Sequence, residues 1–299
     1  MNLIGIDELD KGQISEIFSF SDKFRRGSLS ESMRGKKLSL FFEKPSTRTR
    51  VSFESAMFDL GGSSIYLDSH NLQLSRGETY ADTAKTLSSY VDIIAARMYK
   101  HTDLKTLANN SSVPVINALT DMEHPCQALS DFYTIQRQTD SEPGSVKLAF
   151  IGDTDSNMAH SLALAGSMLG YNVCLVGPKQ ARPNSHYLSA APGGSRIEFQ
   201  TDIRKGLKDA DFVYTDTYVS MGQESEAEKR KKLFAPYQLN ARIMSFAKKD
   251  AMAMHCLPAH RGEEITREVI DSERSLIWEQ VKNKKIVEGG ILAYLLTHN

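Results

Sequence analysis

A run of hydroxyl and arginine side chains stands where a helix is predicted to begin. Residues 46–50 (STRTR) follow an apolar run at 37–42 and a proline, Pro45. A hydroxyl at the N-cap, the N–H groups of the first helical turn and the positive end of the helix dipole form an anion site, to which Arg48 adds a charge. Arg50 has Glu54 four residues further on, so we interpret it as half of an ion pair along the helix.

A second segment, residues 124–127 (HPCQ), places two hydrogen-bonding side chains one turn apart. A proline suits the first position of a helix, so His124 is predicted at the cap, with Gln127 facing the same way. The histidine could donate an N–H to a carbonyl oxygen while the glutamine binds an amide beside it. The alternative is a purely structural histidine that only caps the helix, and the residues alone favour the two interpretations about equally.

Two segments of the second half follow predicted strands and carry polar side chains. Residues 152–157 (GDTDSN) occupy the position of a dinucleotide phosphate loop but lack G-x-G-x-x-G, which argues against a nicotinamide-dependent dehydrogenase. Asn157 either points into a ligand cleft or only lies beside a capping residue. Residues 216–224 (DTYVSMGQE) offer an acid for an ammonium group and a hydroxyl for a carboxylate.

Cys256 lies in a third such segment, residues 255–264 (HCLPAHRGEE). The three cysteines are far apart and have no C-x-x-C spacing, which argues against zinc. No dedicated base accompanies Cys256 in the sequence, which argues against covalent catalysis by its thiol. We therefore expect neither a metal nor another cofactor.

Short apolar runs followed by amphipathic helical patterns predict an α/β fold with parallel sheets. Strands are predicted at 37–42, 64–67, 92–96, 113–117, 146–151, 172–176, 212–215 and 251–255, a helix at 46–60 and a final helix pair at 275–296. The polar stretch 136–147 predicts a domain boundary. We expect two doubly wound parallel-sheet domains with an interdomain cleft, one spanning 1–135 and the other 136–282, with the C-terminal helix 283–299 returning to the first.

The composition excludes several classes of protein. The 299 residues carry 36 Lys+Arg against 37 Asp+Glu, and a net charge of −1 argues against a general nucleic-acid binder. No run approaches the ~18 apolar residues that a transmembrane helix needs. The acidic residues near the N-terminus are unlike a signal peptide, and an odd number of scattered cysteines fits a reducing compartment. These features predict a cytoplasmic protein without a membrane partner.

The segments STRTR, HPCQ, DTYVSMGQE and HCLPAHRGEE occur in one order along one chain. This set resembles the aspartate/ornithine carbamoyltransferase family over essentially the whole sequence. The first two motifs are shared with the aspartate branch, whereas the last two are similar to the ornithine branch. The resemblance implies transfer of the carbamoyl group from carbamoyl phosphate to the δ-amine of L-ornithine, giving L-citrulline and phosphate in arginine metabolism, and a trimeric unit with active sites at subunit interfaces.

The resemblance also implies roles for individual residues. Arg48, Arg97, His124 and Cys256 would be catalytic. Residues implied to bind carbamoyl phosphate are Ser46, Thr47, Arg48, Thr49, Gln73 from a neighbouring subunit, Arg97, His124, Pro125, Cys126, Gln127, Cys256, Leu257 and Lys284. Residues implied to bind ornithine are Asn157, Asp216, Ser220 and Met221.

Two positions depart from the family pattern. Lys284 stands where the family usually has an arginine on the carbamoyl phosphate, and a lysine keeps the charge without the planar fork. Tyr218 stands where the family often has tryptophan. We expect at most a weakened contact from Lys284.

Two alternatives stay open from the sequence. One is a carbamoyltransferase for another amine, such as putrescine, against which the segment Ser220-Met221-Gly222 argues. The other is a catalytically silent anion-binding or regulatory subunit, against which Arg48, His124 and Cys256 argue.

Overall fold

The computed structural model describes residues 1–69, 72–189, 196–219 and 224–298. By its internal contacts the chain divides into two compact units. Unit 1 comprises 1–133 together with 282–299, and unit 2 comprises 134–281. Within the described residues no helix has the length and apolar character needed to cross a membrane.

Unit 1 is built around a four-stranded sheet whose strands are all parallel, in the order β2-β1-β3-β4. Its helices and strands are, in chain order, α1 (Lys11–Arg25), β1 (Lys37–Phe42), α2 (Thr47–Asp59), β2 (Ser63–Asp68), α3 (Tyr80–Ser88), β3 (Ile93–Arg97), α4 (His101–Asn109), β4 (Val115–Leu119) and α5 (Pro125–Gln136), whose last three residues fall in unit 2. The central strand β3 is buried along its whole length, as expected for a parallel sheet covered on both faces.

Unit 2 is built around a five-stranded, all-parallel sheet in the order β7-β6-β5-β8-β9. Its helices and strands are β5 (Lys147–Ile151), α6 (Asn157–Leu169), β6 (Asn172–Val176), α7 (Ser185–Ser189), β7 (Ile197–Gln200), α8 (Ile203–Leu207), β8 (Phe212–Thr215), α9 (Ala227–Phe234), α10 (Ala241–Met244), β9 (Met252–His255) and α11 (Arg267–Ile270). The predicted α/β class with two parallel-sheet domains is confirmed.

Strand β7 was not predicted from the sequence. It is a four-residue edge strand with no fully buried residue, so its apolar signal is weak. The other predicted strands agree with the structure to within two residues at each end. The inward face of α2, formed by Phe53, Met57 and the C-cap Leu60, is fully buried.

The predicted final helix pair is wrong, because residues 277–297 form one continuous helix, α12 (Ile277–Thr297). Two glycines in its interior explain why the sequence reads as interrupted. A Cβ on Gly290 would lie 2.8 Å from the Cα of Ser21 in α1, and one on Gly289 would lie 2.7 Å from the Phe24 ring. The glycines therefore allow α12 to pack closely against α1 within unit 1, at the cost of helix propensity.

Candidate active site

The anion site predicted at residues 46–50 has the expected backbone. Ser46 is the N-cap of α2, and its hydroxyl accepts a hydrogen bond from the Thr49 N–H at 3.3 Å and donates to Thr49 Oγ1 at 3.1 Å. Thr47 is the first helical residue and is exposed, whereas Arg48 is half-buried. Arg50 Nε lies 3.1 Å from Glu54 Oε1, which confirms the ion pair predicted along the helix.

The strand end beside this helix adds a second arginine. Arg97 is the last residue of β3 rather than the first residue after it, and only 7% of its surface is exposed. Its carbonyl oxygen accepts the Glu43 N–H at 2.8 Å, which ties the end of β3 to the loop before α2. The Glu43 carboxylate also accepts from the Tyr80 hydroxyl at 2.6 Å and the Tyr99 N–H at 2.7 Å. Glu43 is therefore a positioning residue for this loop that sequence reasoning missed.

His124 immediately precedes α5, which begins at Pro125 as predicted. Its side chain is almost fully buried. Burial, followed by the positive charges of Lys284, Arg97 and Arg48, lowers the pKa of His124 well below its ordinary value. The cations come from three different elements, α12, β3 and α2, and each disfavours protonation of the buried imidazole. Positive charges in this part of unit 1 favour an anionic ligand.

Gln127, Cys126 and Lys284 lie in the same part of unit 1. Gln127 Nε2 donates to Asp131 Oδ1 at 2.9 Å, and its Oε1 accepts from Lys284 Nζ at 3.0 Å. Cys126 is fully buried, its Sγ donates to the Asn117 carbonyl at 3.4 Å, and burial raises the pKa of its thiol. Its side chain is therefore committed to the core, and it is not placed to act as a nucleophile.

Gln73 lies apart from this group. It is exposed, at the start of the 3₁₀ helix Gln73–Arg76. Within the described residues, no hydrogen bond or ion pair connects the Gln73 side chain with another candidate residue of unit 1.

In unit 2 the carboxyl ends of two adjacent strands, β8 and β9, bring together Asp216 and Cys256. Asp216 is buried, and its Oδ1 accepts from the Thr217 N–H at 2.7 Å and from Cys256 Sγ at 3.0 Å. Asn157 is the first residue of α6, and Ser156 provides the N-cap. Ser220 and Met221 lie outside the described residues.

The backbone around Cys256 is held by a buried histidine–carboxylate pair. His255 Nδ1 accepts from the Leu257 N–H at 2.8 Å, and His255 Nε2 lies 3.3 Å from Glu264 Oε1. Leu257 has φ +60°, a conformation that costs a non-glycine residue about 1–3 kcal/mol and must be maintained by its surroundings. Burial raises the pKa of Glu264, but hydrogen bonds from His255 and the His260 N–H outweigh it and lower the pKa. Glu264 lies within a motif noted in the sequence, but no role was inferred for it.

A second positioning residue of unit 2, Arg230 on α9, also escaped sequence analysis. Its Nε donates to the Tyr218 carbonyl at 2.7 Å, and its guanidinium forms a part-buried ion pair with Asp153. It thereby links the loop after β5, which leads to Asn157, with the loop after β8 that carries Asp216. No sequence spacing connects an arginine with an acid 77 residues away.

Among the described residues of unit 2, two groups of side chains have the composition of a metal site. The ligand atoms of Asp216, His255 and Cys256 lie within 4.8 Å of one another, as do those of His260, Glu263 and Glu264. Both ring nitrogens of His255 already make hydrogen bonds, so the first group would have to break one of them to bind a metal. In the second, Glu263 pairs with Lys231 at 2.8 Å.

Both halves of the chain match models of one protein family. Residues 1–137 match the family model described as "Aspartate/ornithine carbamoyltransferase, carbamoyl-P binding domain", and residues 144–295 match "Aspartate/ornithine carbamoyltransferase, Asp/Orn binding domain". The chain belongs to the aspartate/ornithine carbamoyltransferase family.

Individual members of the family are similar over most of the chain. The ornithine carbamoyltransferase of Pyrococcus abyssi is 50% identical over 269 residues, covering 88% of this chain and 84% of the relative. The anabolic enzyme of Pyrococcus furiosus is 49% identical over 88% of this chain and 85% of the relative. Among solved structures, the ornithine carbamoyltransferase of Pyrococcus furiosus has a TM-score of 0.94 at 44% identity, covering 100% of this chain and 97% of that one. The anabolic enzyme of Campylobacter jejuni has a TM-score of 0.94 at 35% identity, covering 100% and 99%.

Proposed function

We propose that this protein transfers the carbamoyl group of carbamoyl phosphate to the δ-amine of L-ornithine, giving L-citrulline and phosphate. The observation that carries the proposal is the convergence of Arg48, Arg97 and Lys284 on the neutral, buried His124, next to the capped N-terminus of α2. Membership in the family and identities near 50% to ornithine carbamoyltransferases support the substrate pair.

The reaction can be derived from the chemistry of these groups. The neutral amine attacks the carbonyl carbon, a negative charge develops on the carbonyl oxygen, and the C–O bond to the phosphate breaks as the amine loses a proton. Thr49, Arg97 and His124 would donate to the oxyanion, and residues 46–49 would hold the leaving phosphate. An alkyl amine has a pKa near that of lysine, about 10.4, so the reaction should accelerate toward alkaline pH.

We assign the two substrates to the two predicted domains. Residues 1–135 with the C-terminal helix 283–299 would bind carbamoyl phosphate. Residues 136–282 would bind ornithine, with Asp216 accepting from its α-ammonium group and Asn157, Ser220 and Met221 contributing to the amino-acid end. Cys256 and Leu257 would lie where the side-chain amine meets the carbamoyl carbon. The buried Asp216 carboxylate, hydrogen-bonded by Cys256, supports this assignment.

We also infer that the chain assembles as a homotrimer or a multiple of trimers, with Gln73 serving the neighbouring subunit's site. An exposed apolar face on α2 and the edge strand β2 supports self-association: Val51, Phe58 and Ile65 are 55%, 79% and 43% exposed. Light scattering coupled to size-exclusion chromatography should give about three times the 33.3 kDa chain mass. A monomer at assay concentration would refute the trimer.

The three cysteines form no disulfide, which is consistent with a cytoplasmic location.

An assay for the ureido product tests the function. Carbamoyl phosphate is supplied separately with L-ornithine, putrescine, N-acetylornithine and L-aspartate at two alkaline pH values. Product with ornithine alone is the expected result. Product with another amine would keep the carbamoyl-phosphate half of the proposal and refute the ornithine half. No product from folded protein with any amine would favour a silent anion-binding subunit.

A further inference from the structure

Four polar side chains form a continuous buried chain across two helices of unit 1. Glu288 and Lys284 lie one turn apart on α12, with Glu288 Oε1 3.3 Å from Lys284 Nζ. Lys284 Nζ donates to Gln127 Oε1, and Gln127 Nε2 donates to Asp131 Oδ1 on α5. All four are at most 5% exposed. These four side chains are therefore shielded from water. In such a low-dielectric interior, hydrogen bonds and charge interactions are stronger than in water.

The two ends of this chain determine which way the Gln127 amide faces. An ammonium group has only donors, and a carboxylate has only acceptors. Turning the amide by half a rotation would place its NH₂ against Lys284 and its carbonyl against Asp131, which would break both hydrogen bonds. A glutamine amide otherwise has two orientations of similar energy. Lys284 and Asp131 together select one of them.

The charge of Lys284 is compensated on its own helix. Glu288 lies beside the ammonium group, with Ser52 of α2 also close to the carboxyl. Burial raises the pKa of Glu288 to about 7, against the opposing effect of Lys284. At the alkaline pH of the proposed reaction the carboxylate is ionised and the pair carries no net charge. Lys284 thus adds less attraction for a phosphate than an unpaired cation would.

We propose that Lys284 is a positioning residue rather than a phosphate ligand: with Asp131 it fixes the Gln127 amide toward the carbamoyl group, and Glu288 holds the Lys284 ammonium at Gln127. The inference rests on the proposed function, since it assigns the carbamoyl group to Gln127. It accounts for a lysine at a position where a forked, phosphate-binding arginine is expected from the family pattern.

Inorganic phosphate distinguishes the two roles, because it shares the phosphate end of the substrate and lacks the carbamoyl group. The full-length Lys284→Met variant is compared with the unmodified protein for kcat and KM with carbamoyl phosphate, and for inhibition by phosphate competing with it. Glu288, left without its partner, becomes protonated, so the net charge of the site changes little. We expect kcat/KM to fall by roughly 10- to 100-fold, while the phosphate inhibition constant changes less than about threefold. A parallel rise in the phosphate inhibition constant would show that Lys284 binds phosphate directly and would overturn the proposal.

Two further variants separate positioning from folding. Lys284→Arg can still donate to Gln127 and should recover most of the activity, whereas Lys284→Gln loses the charge but keeps a donor and should fall between arginine and methionine. Thermal unfolding checks that both variants are folded, and equal losses of activity in the folded Gln and Met variants would contradict the proposal. If the unmodified protein transfers no carbamoyl group to ornithine, the proposed function itself fails. If the unmodified protein does transfer it, and the Lys284 variants lose affinity for inorganic phosphate in parallel with kcat/KM, only the positioning role fails.

Discussion

The Cys256 thiol donates a hydrogen bond to Asp216 Oδ1 at 3.0 Å, so the two strand ends that carry the proposed ornithine site are joined by side chains. In this arrangement the thiol is a donor and not a nucleophile. The attacking group in the proposed reaction is the substrate amine, and Cys256 has only to pack beside it and to hold Asp216 in place.

The first prediction concerns Cys256→Ser. A serine hydroxyl can donate to Asp216 in the same way, so we expect kcat to stay within about tenfold of the unmodified protein. Cys256→Ala, which removes the donor, should raise the KM for ornithine more than the KM for carbamoyl phosphate. Steady-state kinetics with each substrate varied in turn measure both effects. Loss of all activity in the serine variant would instead indicate covalent catalysis by the thiol.

The second prediction compares two arginines on α2. Arg48→Ala removes one of the positive charges that lower the pKa of His124 and the charge proposed to hold the phosphate. We expect kcat/KM for carbamoyl phosphate to fall by roughly 10²–10³-fold with the fold preserved. Arg50 is the matched control, because it pairs with Glu54 and lies over the Tyr66 ring at 3.8 Å. Arg50→Ala should change stability by less than about 1 kcal/mol and leave the kinetics nearly intact. Equal activities of the two variants would refute the phosphate assignment.

The third prediction uses the lowered pKa of His124. Because burial and the positive charges of Lys284, Arg97 and Arg48 lower its pKa, the imidazole would stay neutral and could donate an N–H to the carbonyl oxygen of the proposed substrate over the whole working range of pH. His124→Asn should lower kcat by about 10²-fold and leave the shape of the pH profile unchanged between about pH 6 and pH 9.

The lowered pKa of His124 also makes the free energy of unfolding depend on pH. The unfolded chain takes up a proton on His124 as the pH falls below about 6.5, whereas the folded protein does not, so stability is lost as the pH decreases from that value. The asparagine variant should show a smaller loss. An imidazole resonance of His124 that titrates in the folded protein near pH 7, followed by NMR, would contradict this account.

The sequence predicted those parts of the fold and site that depend on local patterns. The β1 strand, the Ser46 cap and the Arg50–Glu54 pair each involve neighbours along the chain, and each is found in the structure. Family motifs then implied specific roles that the local patterns had left open, such as that of Asp216.

Contacts between distant segments could not be predicted in this way. Arg230 contacts Asp153, 77 residues away in the sequence, and Lys284 contacts Gln127, 157 residues away. No pattern in the sequence predicts either pair. Glu288 is the exception, since its position four residues after Lys284 on a predicted helix was a readable signal. Its significance depended on burial, which only the tertiary structure supplies.

The last prediction concerns the glycines of α12. In an exposed helix an alanine in place of glycine would stabilise by about 0.5–1 kcal/mol. At Gly290 the added Cβ would lie 2.7 Å from the Ser21 backbone nitrogen, so α12 and α1 would have to move apart. We expect Gly290→Ala to destabilise unit 1 by about 1–3 kcal/mol, lowering the thermal midpoint by roughly 2–4 °C per kcal/mol. Gly144→Ala is the control, because nothing lies within 4 Å of the added carbon, and its midpoint should stay within about 1–2 °C. Since Lys284 lies on the same helix, the Gly290 variant should also have a higher KM for carbamoyl phosphate. If both the thermal midpoint and the KM were unchanged, the helix would tolerate the methyl group without moving and the prediction would be wrong.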